Sequence, residues 1–163
     1  MNSVASQPGE SANRLVGLFH ELLDGLPPET ATIGFKRTRN DDGTLVWLKP
    51  SGQQAAEFSA HIDDEHTSLI DVSFGSGSTF ELPCEAKLPS DATFEMVLGV
   101  VRDLALAVVA GRCEERFGFL GVRGTIRVDE TNVFRCTHFF YPRLFPKTIH
   151  YLPYSSGPRS SSC

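Results

Sequence analysis

One long apolar segment, Thr93 to Gly111, constrains the fold of this chain more than any other feature. Most of its residues are aliphatic, and its only charged residues are Glu95, Arg102 and Asp103. A helix of this composition must be covered by other elements around most of its circumference. Its length of about 28 Å is close to that of a strand of about eight residues. We therefore predict a buried helix that packs across one face of a β-sheet.

Five short segments between residues 31 and 82 show a hydrophobic period of two, which is typical of half-buried strands. They lie within residues 31–39, 44–50, 56–63, 69–74 and 78–82. Turn-forming residues such as Asn40-Asp41-Asp42-Gly43 and Gly75-Ser76-Gly77 separate them. Because connections this short force neighbouring strands to be antiparallel, the segments predict a five-stranded meander.

The segments on either side of these elements complete the predicted fold. Apolar residues recur at helical spacing over residues 11–24, until Gly25 and Pro27-Pro28 end the pattern. After the buried helix, residues 116–119, 124–129 and 133–141 alternate as strands do. Prolines from residue 142 onward exclude regular structure there except in short pieces.

The resulting fold class is α+β. We predict an antiparallel β-meander packed against one long buried helix, with an additional N-terminal helix and two or three C-terminal strands that complete the sheet. We expect residues 1–9 to be disordered, residues 10–154 to form this single domain, and residues 155–163 to be a flexible polar tail.

Composition and charge exclude several functional classes. The 163 residues include 15 Lys and Arg against 20 Asp and Glu, which gives a net charge of −5. Because phosphate contacts require a basic surface, this balance argues against general binding to nucleic acid or to an anionic membrane. The four cysteines include no C-x-x-C pair, and the first ten residues lack the features of a secretory signal. We therefore expect reduced thiols and a cytoplasmic protein.

Two short segments carry residue types capable of chemistry, but the geometry expected of each argues against it. The segment His61-Ile62-Asp63-Asp64-Glu65-His66 has side chains that bind divalent metals, yet carboxylates are ordinary residues of a hairpin turn. Cys136 and His138 have the chemistry of a nucleophile and a base, but residues two apart on a strand are about 7 Å apart. No complete catalytic or cofactor motif occurs, so the sequence favours a non-enzymatic protein without metal or cofactor.

Charge is unevenly distributed along the chain. Residues 61–91 hold seven acidic residues and one lysine, and we predict that Asp63, Asp64 and Glu65 contact a protein partner. Residues 112–147 hold seven basic and four acidic residues, and six of the basic ones are arginines: Arg112, Arg116, Arg123, Arg127, Arg135 and Arg143. Arginine suits planar, bidentate recognition, and Arg123, Arg127 and Arg135 could share a sheet face that meets an acidic partner. The alternative is a solvated face that pairs with Glu114, Glu115, Asp129 and Glu130.

Aromatic residues are concentrated in a C-terminal arm, residues 139–154, which holds six of the sixteen in the chain. One interpretation is that the arm folds back over the open face of the sheet. The other is that it presents aromatic and basic side chains to another chain, including a second copy of itself in a dimer. The residues predicted to make that contact are Tyr141, Arg143, Phe145, Tyr151 and Tyr154.

These observations favour a non-enzymatic, acidic protein-binding module. Immunity-type inhibitors and secretion chaperones are analogous in size and acidity, and the analogy rests on nothing more specific. The alternative is a small-molecule-binding protein or an enzyme with a pocket between sheet and helices, lined by Arg37, Arg127 and His138. A third hypothesis is a structural subunit of a larger assembly.

Overall fold

The computed structural model describes residues 9–38, 43–63, 69–82, 93–119, 121–138 and 146–154. Two helices lie in these ranges, α1 (Glu10–Asp24) and α2 (Phe94–Val109). Five strands lie between the helices: β1 (Ala31–Arg37), β2 (Gly43–Pro50), β3 (Phe58–Asp63), β4 (Ile70–Phe74) and β5 (Ser78–Leu82). Four strands follow α2: β6 (Cys113–Gly118), β7 (Gly121–Arg127), β8 (Val133–His138) and β9 (Lys147–His150). The predicted α+β class is confirmed.

The first five strands form one antiparallel sheet in chain order, which confirms the predicted meander. Their alternating pattern places one set of side chains on an inner face. The buried residues of that face include Val46, Leu48, Phe58, Val72 and Phe80. Helix α1 packs over β1 and β2, and α2 packs over β3 and β4, so both helices cover the inner face.

Helix α2 occupies the apolar segment that the sequence singles out. It begins after Thr93, whose hydroxyl accepts a hydrogen bond of 3.4 Å from the backbone N–H of Met96. Val101 and Leu104 are fully buried, but Met96 and Leu106 on the opposite side are 43% and 45% exposed. Neighbouring elements therefore cover less of this helix than its composition predicts. Over the described ranges, neither helix is long and apolar enough to pass through a membrane.

The strands after α2 form a second antiparallel sheet, in the order β8–β7–β6–β9. The prediction that they complete the first sheet is wrong, because side chains and not a backbone ladder connect β5 to the second sheet. The rings of Phe80 and Phe134, for example, meet edge to face with centroids 6.3 Å apart. Strand β6 begins at Cys113, three residues before the predicted position, and β9 is one of the short pieces that fit between Pro146 and Pro153.

Residues 151–154, which we call the C-terminal strap, connect three parts of the fold. The backbone N–H groups of Tyr151, Leu152 and Tyr154 donate to the carbonyl oxygens of Cys113, Gln54 and Val109, respectively. The Tyr154 side chain is only 3% exposed, and its hydroxyl donates to the carbonyl oxygen of Ala56 at 2.7 Å. The strap therefore folds back and contributes to the core.

Candidate functional site

The outer face of the four-stranded sheet carries four exposed arginines, which we call the arginine face: Arg116, Arg123, Arg127 and Arg135. Arg123 on β7 lies directly opposite Arg116 on β6, and Arg135 on β8 lies opposite Thr125 on β7. Residues opposite one another in an antiparallel ladder point to the same side of the sheet. The strand pairing therefore gathers on one surface four charges that lie up to 19 residues apart in the sequence.

The alternation within β6 explains why these side chains point outward. Cys113, Glu115 and Phe117 are buried on the inner face, so Glu114 and Arg116 occupy the outer face. On β7, Gly124 is buried against β5 and the exposed Arg123 precedes it. The same alternation places Arg127 of β7 and Arg135 of β8 on the outer face.

The carboxylates nearest in sequence do not neutralise the arginine face. Glu114 lies 3.1 Å from the Nδ1 atom of His150, and Glu115 is buried on the opposite side of the sheet. Within the part of the chain that the structure describes, none of the four guanidinium groups forms an ion pair. The pairing of these arginines with Glu114, Glu115, Asp129 or Glu130 that the alternative predicts is therefore not seen among the described residues.

Asp129 is engaged in the turn between β7 and β8. Its carboxylate accepts hydrogen bonds from the backbone and side chains of Thr131 and Asn132, at 2.6 to 2.8 Å. These bonds, led by the one from the Asn132 side chain, hold the pKa of the Asp129 carboxyl well below its usual range. The carboxylate therefore stabilises the turn and does not neutralise a nearby arginine.

A groove of about 590 Å³ adjoins one end of the arginine face. Its lining residues are Arg116, Gly118, Phe119, Gly121, Val122, Arg123 and Thr137. The Phe119 side chain is 67% exposed, the highest value among the large exposed apolar residues described. An exposed ring beside two arginines is the combination that protein interfaces favour.

A second, acidic groove of about 200 Å³ lies on the outer face of the five-stranded sheet. It is lined by His61, Asp63, Leu69, Asp71 and Glu81. Burial raises the pKa of the Asp71 carboxyl above its ordinary value, against the opposing effect of His61, and the Glu81 charge raises it further. Across the described ranges, no group of three or more His, Cys, Asp or Glu side chains is placed to hold a metal ion.

A polar buried cluster surrounds Glu115, which has no exposed surface. Its carboxylate accepts hydrogen bonds from the hydroxyl groups of Ser78 and Tyr151, both at 2.6 Å, and from the backbone N–H groups of Ser76 and Ser78. Burial and the hydrogen bond to Glu115 raise the pKa of the Tyr151 hydroxyl above its usual range. Burial, assisted by the Glu115 charge, raises the pKa of the Cys113 thiol to about 12. The Tyr151 hydroxyl and the Cys113 thiol are therefore protonated at neutral pH.

The predicted partner-contact residues that the structure describes lie in different parts of the fold. Tyr154 belongs to the core, and Tyr151 is half-buried against Glu115, so both serve within the chain. Asp63 lines the acidic groove. The predicted contact residues outside the described ranges are Asp64, Glu65, Tyr141, Arg143 and Phe145.

Of the three polar residues proposed for an internal pocket, the structure describes the side chains of two, and these lie apart from each other. Arg127 is exposed on the arginine face, and Arg37 donates to the hydroxyl of Thr44 at 3.2 Å. Nothing is described of the His138 side chain. Phe119 was not among the residues predicted at a contact, although its position between Gly118 and Gly121 indicates the tip of a hairpin.

The candidate site on the four-stranded sheet is therefore an open cationic surface with one exposed ring. It offers guanidinium donors in fixed register and a shallow groove beside them. No protein-family model, curated protein or solved structure matches this chain.

Proposed function

We propose that this protein is a non-enzymatic protein-binding module that binds an acidic polypeptide segment through the arginine face. The observation that carries the proposal is the set of four outward guanidinium groups without a carboxylate partner in the described structure. Like charges directly opposite in a sheet are unfavourable, and Arg116 and Arg123 are such a pair. An acidic partner would relieve that repulsion on binding.

The overall charge supports a polypeptide partner over a nucleic acid. The chain has a net charge of −5, so the molecule as a whole repels an extended polyanion. The acidic groove around Asp71 lies on the five-stranded sheet, and the arginine face lies on the other sheet. Phe119 would contribute an apolar contact at the end of the same face. Roles like those of an immunity-type inhibitor or a secretion chaperone belong to this class of function.

The proposal can be tested with a defined peptide probe. The probe is a short fluorescein-labelled peptide of alternating Glu and Asp with one central Trp, and its control has Gln and Asn in place of the acids. We expect anisotropy to show binding of the acidic peptide only, with affinity falling steeply between about 50 and 500 mM NaCl. The double variant Arg116→Ser, Arg123→Ser should weaken binding about tenfold or more.

A matched variant controls for net charge. The double variant Lys49→Ser, Arg102→Ser also removes two positive charges, but from exposed positions outside the arginine face. This variant should bind the acidic peptide as the parent protein does. Equal loss of affinity in both double variants, or equal binding of the amide peptide, would refute the proposal.

A further inference from the structure

The arginine face contains one row whose chemistry is more specific than general positive charge. In register across the four strands, the row runs Thr137, Arg123, Arg116, Thr148. All four residues are exposed on the same side of the sheet. Two guanidinium groups are thus flanked by two hydroxyl groups along a single line, which we call the central row.

We infer that the central row binds a phosphorylated side chain within the acidic partner, an inference that rests on the proposed function. A phosphomonoester carries a charge of about −1.5 to −2 at neutral pH and three strong acceptor oxygens. Arg116 and Arg123 together supply two positive charges and two planar donor sets, with their Cα atoms about 5 Å apart. One dianion neutralises both charges at once, whereas one carboxylate leaves a residual positive charge.

The surroundings of the central row suit a bulky anion. The groove of about 590 Å³ begins at Arg116, Arg123 and Thr137, and none of its lining residues that the structure describes is a carboxylate. Two of its lining positions, Gly118 and Gly121, have no side chain, which leaves their backbone accessible. Phe119 lies in the same lining and would contact a residue next to the phosphorylated one. The groove therefore provides both charge recognition and room for the flanking peptide.

The presence of arginine, and not lysine, at both central positions favours a phosphate group as the ligand. A guanidinium forms paired hydrogen bonds to a phosphate in a fixed planar arrangement, whereas a lysine acts as a point charge. A site that required only positive charge would tolerate either residue. The inference therefore predicts that replacing arginine by lysine in this row is costly even though the charge is unchanged.

The test compares three peptides that differ only at one central residue, which is Ser, Glu or phosphoserine, within the same acidic sequence. We expect the phosphoserine peptide to bind at least about tenfold more tightly than the Glu peptide. This advantage should decrease as the pH falls below about 6, because the phosphate then takes up its second proton. Inorganic phosphate should compete weakly, because it lacks the contacts of the flanking peptide.

Two double lysine variants show which arginines produce the preference for phosphoserine. Arg116→Lys with Arg123→Lys should remove most of the preference for phosphoserine, whereas Arg127→Lys with Arg135→Lys should retain it. All four side chains are exposed, and urea unfolding of each variant checks that stability is unchanged. Equal affinity for the Glu and phosphoserine peptides would overturn this inference and leave the proposed function intact. Binding of neither peptide would overturn both, and tighter binding of an oligothymidylate would point to a nucleic acid instead.

Discussion

The carboxylate of Glu115 accepts a hydrogen bond of 2.6 Å from the hydroxyl of Ser78, and this contact joins the two sheets. Glu115 lies on β6 of the four-stranded sheet, and Ser78 is the first residue of β5 in the meander. Two glycines provide the space. A Cβ atom at Gly124 would lie 2.5 Å from the Cβ of Ser78, and one at Gly75 would lie 2.8 Å from the Glu115 carboxylate. The junction is therefore built around one buried charge.

Replacing Glu115 should strongly destabilise the fold. Glu115→Leu removes the acceptor for four hydrogen bonds and leaves the two buried donors of Ser78, together with the more accessible donors of Ser76 and Tyr151, without this partner. We expect the free energy of unfolding to fall by at least about 2 kcal/mol, because each of the two buried donors of Ser78 costs about 1–3 kcal/mol when it is unsatisfied. Urea denaturation followed by circular dichroism measures the change. The milder variant Tyr151→Phe removes one of the four bonds and should cost about 1–2 kcal/mol.

The Cys113 thiol should make stability decrease at alkaline pH. The fold raises the thiol pKa from an ordinary value of 9.0 to about 12, so above pH 9 the folded state retains a proton that the unfolded state loses. This contribution is fully present below pH 9 and is lost as the pH rises toward 12, with a slope of up to about 1.4 kcal/mol per pH unit. Cys113→Ser, which does not titrate in this range, should show a smaller slope in denaturation series from pH 8 upward. Equal slopes would contradict the prediction.

Two exposed glycines inside the helices should be replaceable with a gain in stability. A Cβ atom at Gly17 in α1 or Gly99 in α2 would meet nothing within 4 Å. Alanine should therefore raise the free energy of unfolding by about 0.5–1 kcal/mol at each position, because it restricts the unfolded chain without a clash. Thermal unfolding measures the gain. Gly34→Ala should have the opposite effect, because its Cβ would lie 2.5 Å from the Cε2 atom of the Trp47 indole.

Tyr154 should contribute to stability through both its ring and its hydroxyl. Tyr154→Phe leaves the buried carbonyl oxygen of Ala56 without its donor and should cost about 1–2 kcal/mol. Tyr154→Ala also opens a cavity and should cost about 3–5 kcal/mol. Sedimentation of both variants, beside their urea unfolding, separates a role in the fold from a role in association. Loss of association without loss of stability would contradict the prediction.

Removing one arginine of the central row should slightly stabilise the free protein. Arg123→Ser eliminates the like charge opposite Arg116, and we expect a gain of about 0.5 kcal/mol at low ionic strength. The gain should shrink in about 0.5 M NaCl, where salt screens the repulsion. Urea unfolding at the two salt concentrations tests this. A loss of stability at low salt would show that Arg123 supports the fold and not a partner contact.

The sequence predicted the meander and both helices because their apolar residues follow one period without conflict. The four-stranded sheet was harder to predict because its first strand places Glu115 among its inward residues. A rule that assigns charged residues to the surface conceals the alternation of Cys113, Glu115 and Phe117. The donors that make this burial possible come from β5 and from the C-terminal strap, and spacing along the chain does not bring those segments together.

The arginine face was predictable only in part. Arg127 and Arg135 lie on strands that the sequence identified, and Arg123 immediately precedes the first of these strands, where a period of two assigns it to the same face as Arg127. Arg116 joins them through the register between β6 and β7, which places it opposite Arg123. A single-residue shift of that register would turn Arg116 toward the other face. The central row is therefore a property of strand pairing, which the sequence pattern does not fix.

The position of the C-terminal strap also sets an order for folding during synthesis. A growing polypeptide emerges from its N-terminus, so α1 and the meander are available early and pair through local connections. Glu115 gains the donor of Tyr151, and β6 gains its neighbour β9, only after residues 147–154 have emerged. Until then a nascent chain holds a carboxylate at the sheet junction with one of its four hydrogen bonds missing. The junction between the sheets is thus among the last parts of this protein to become stable.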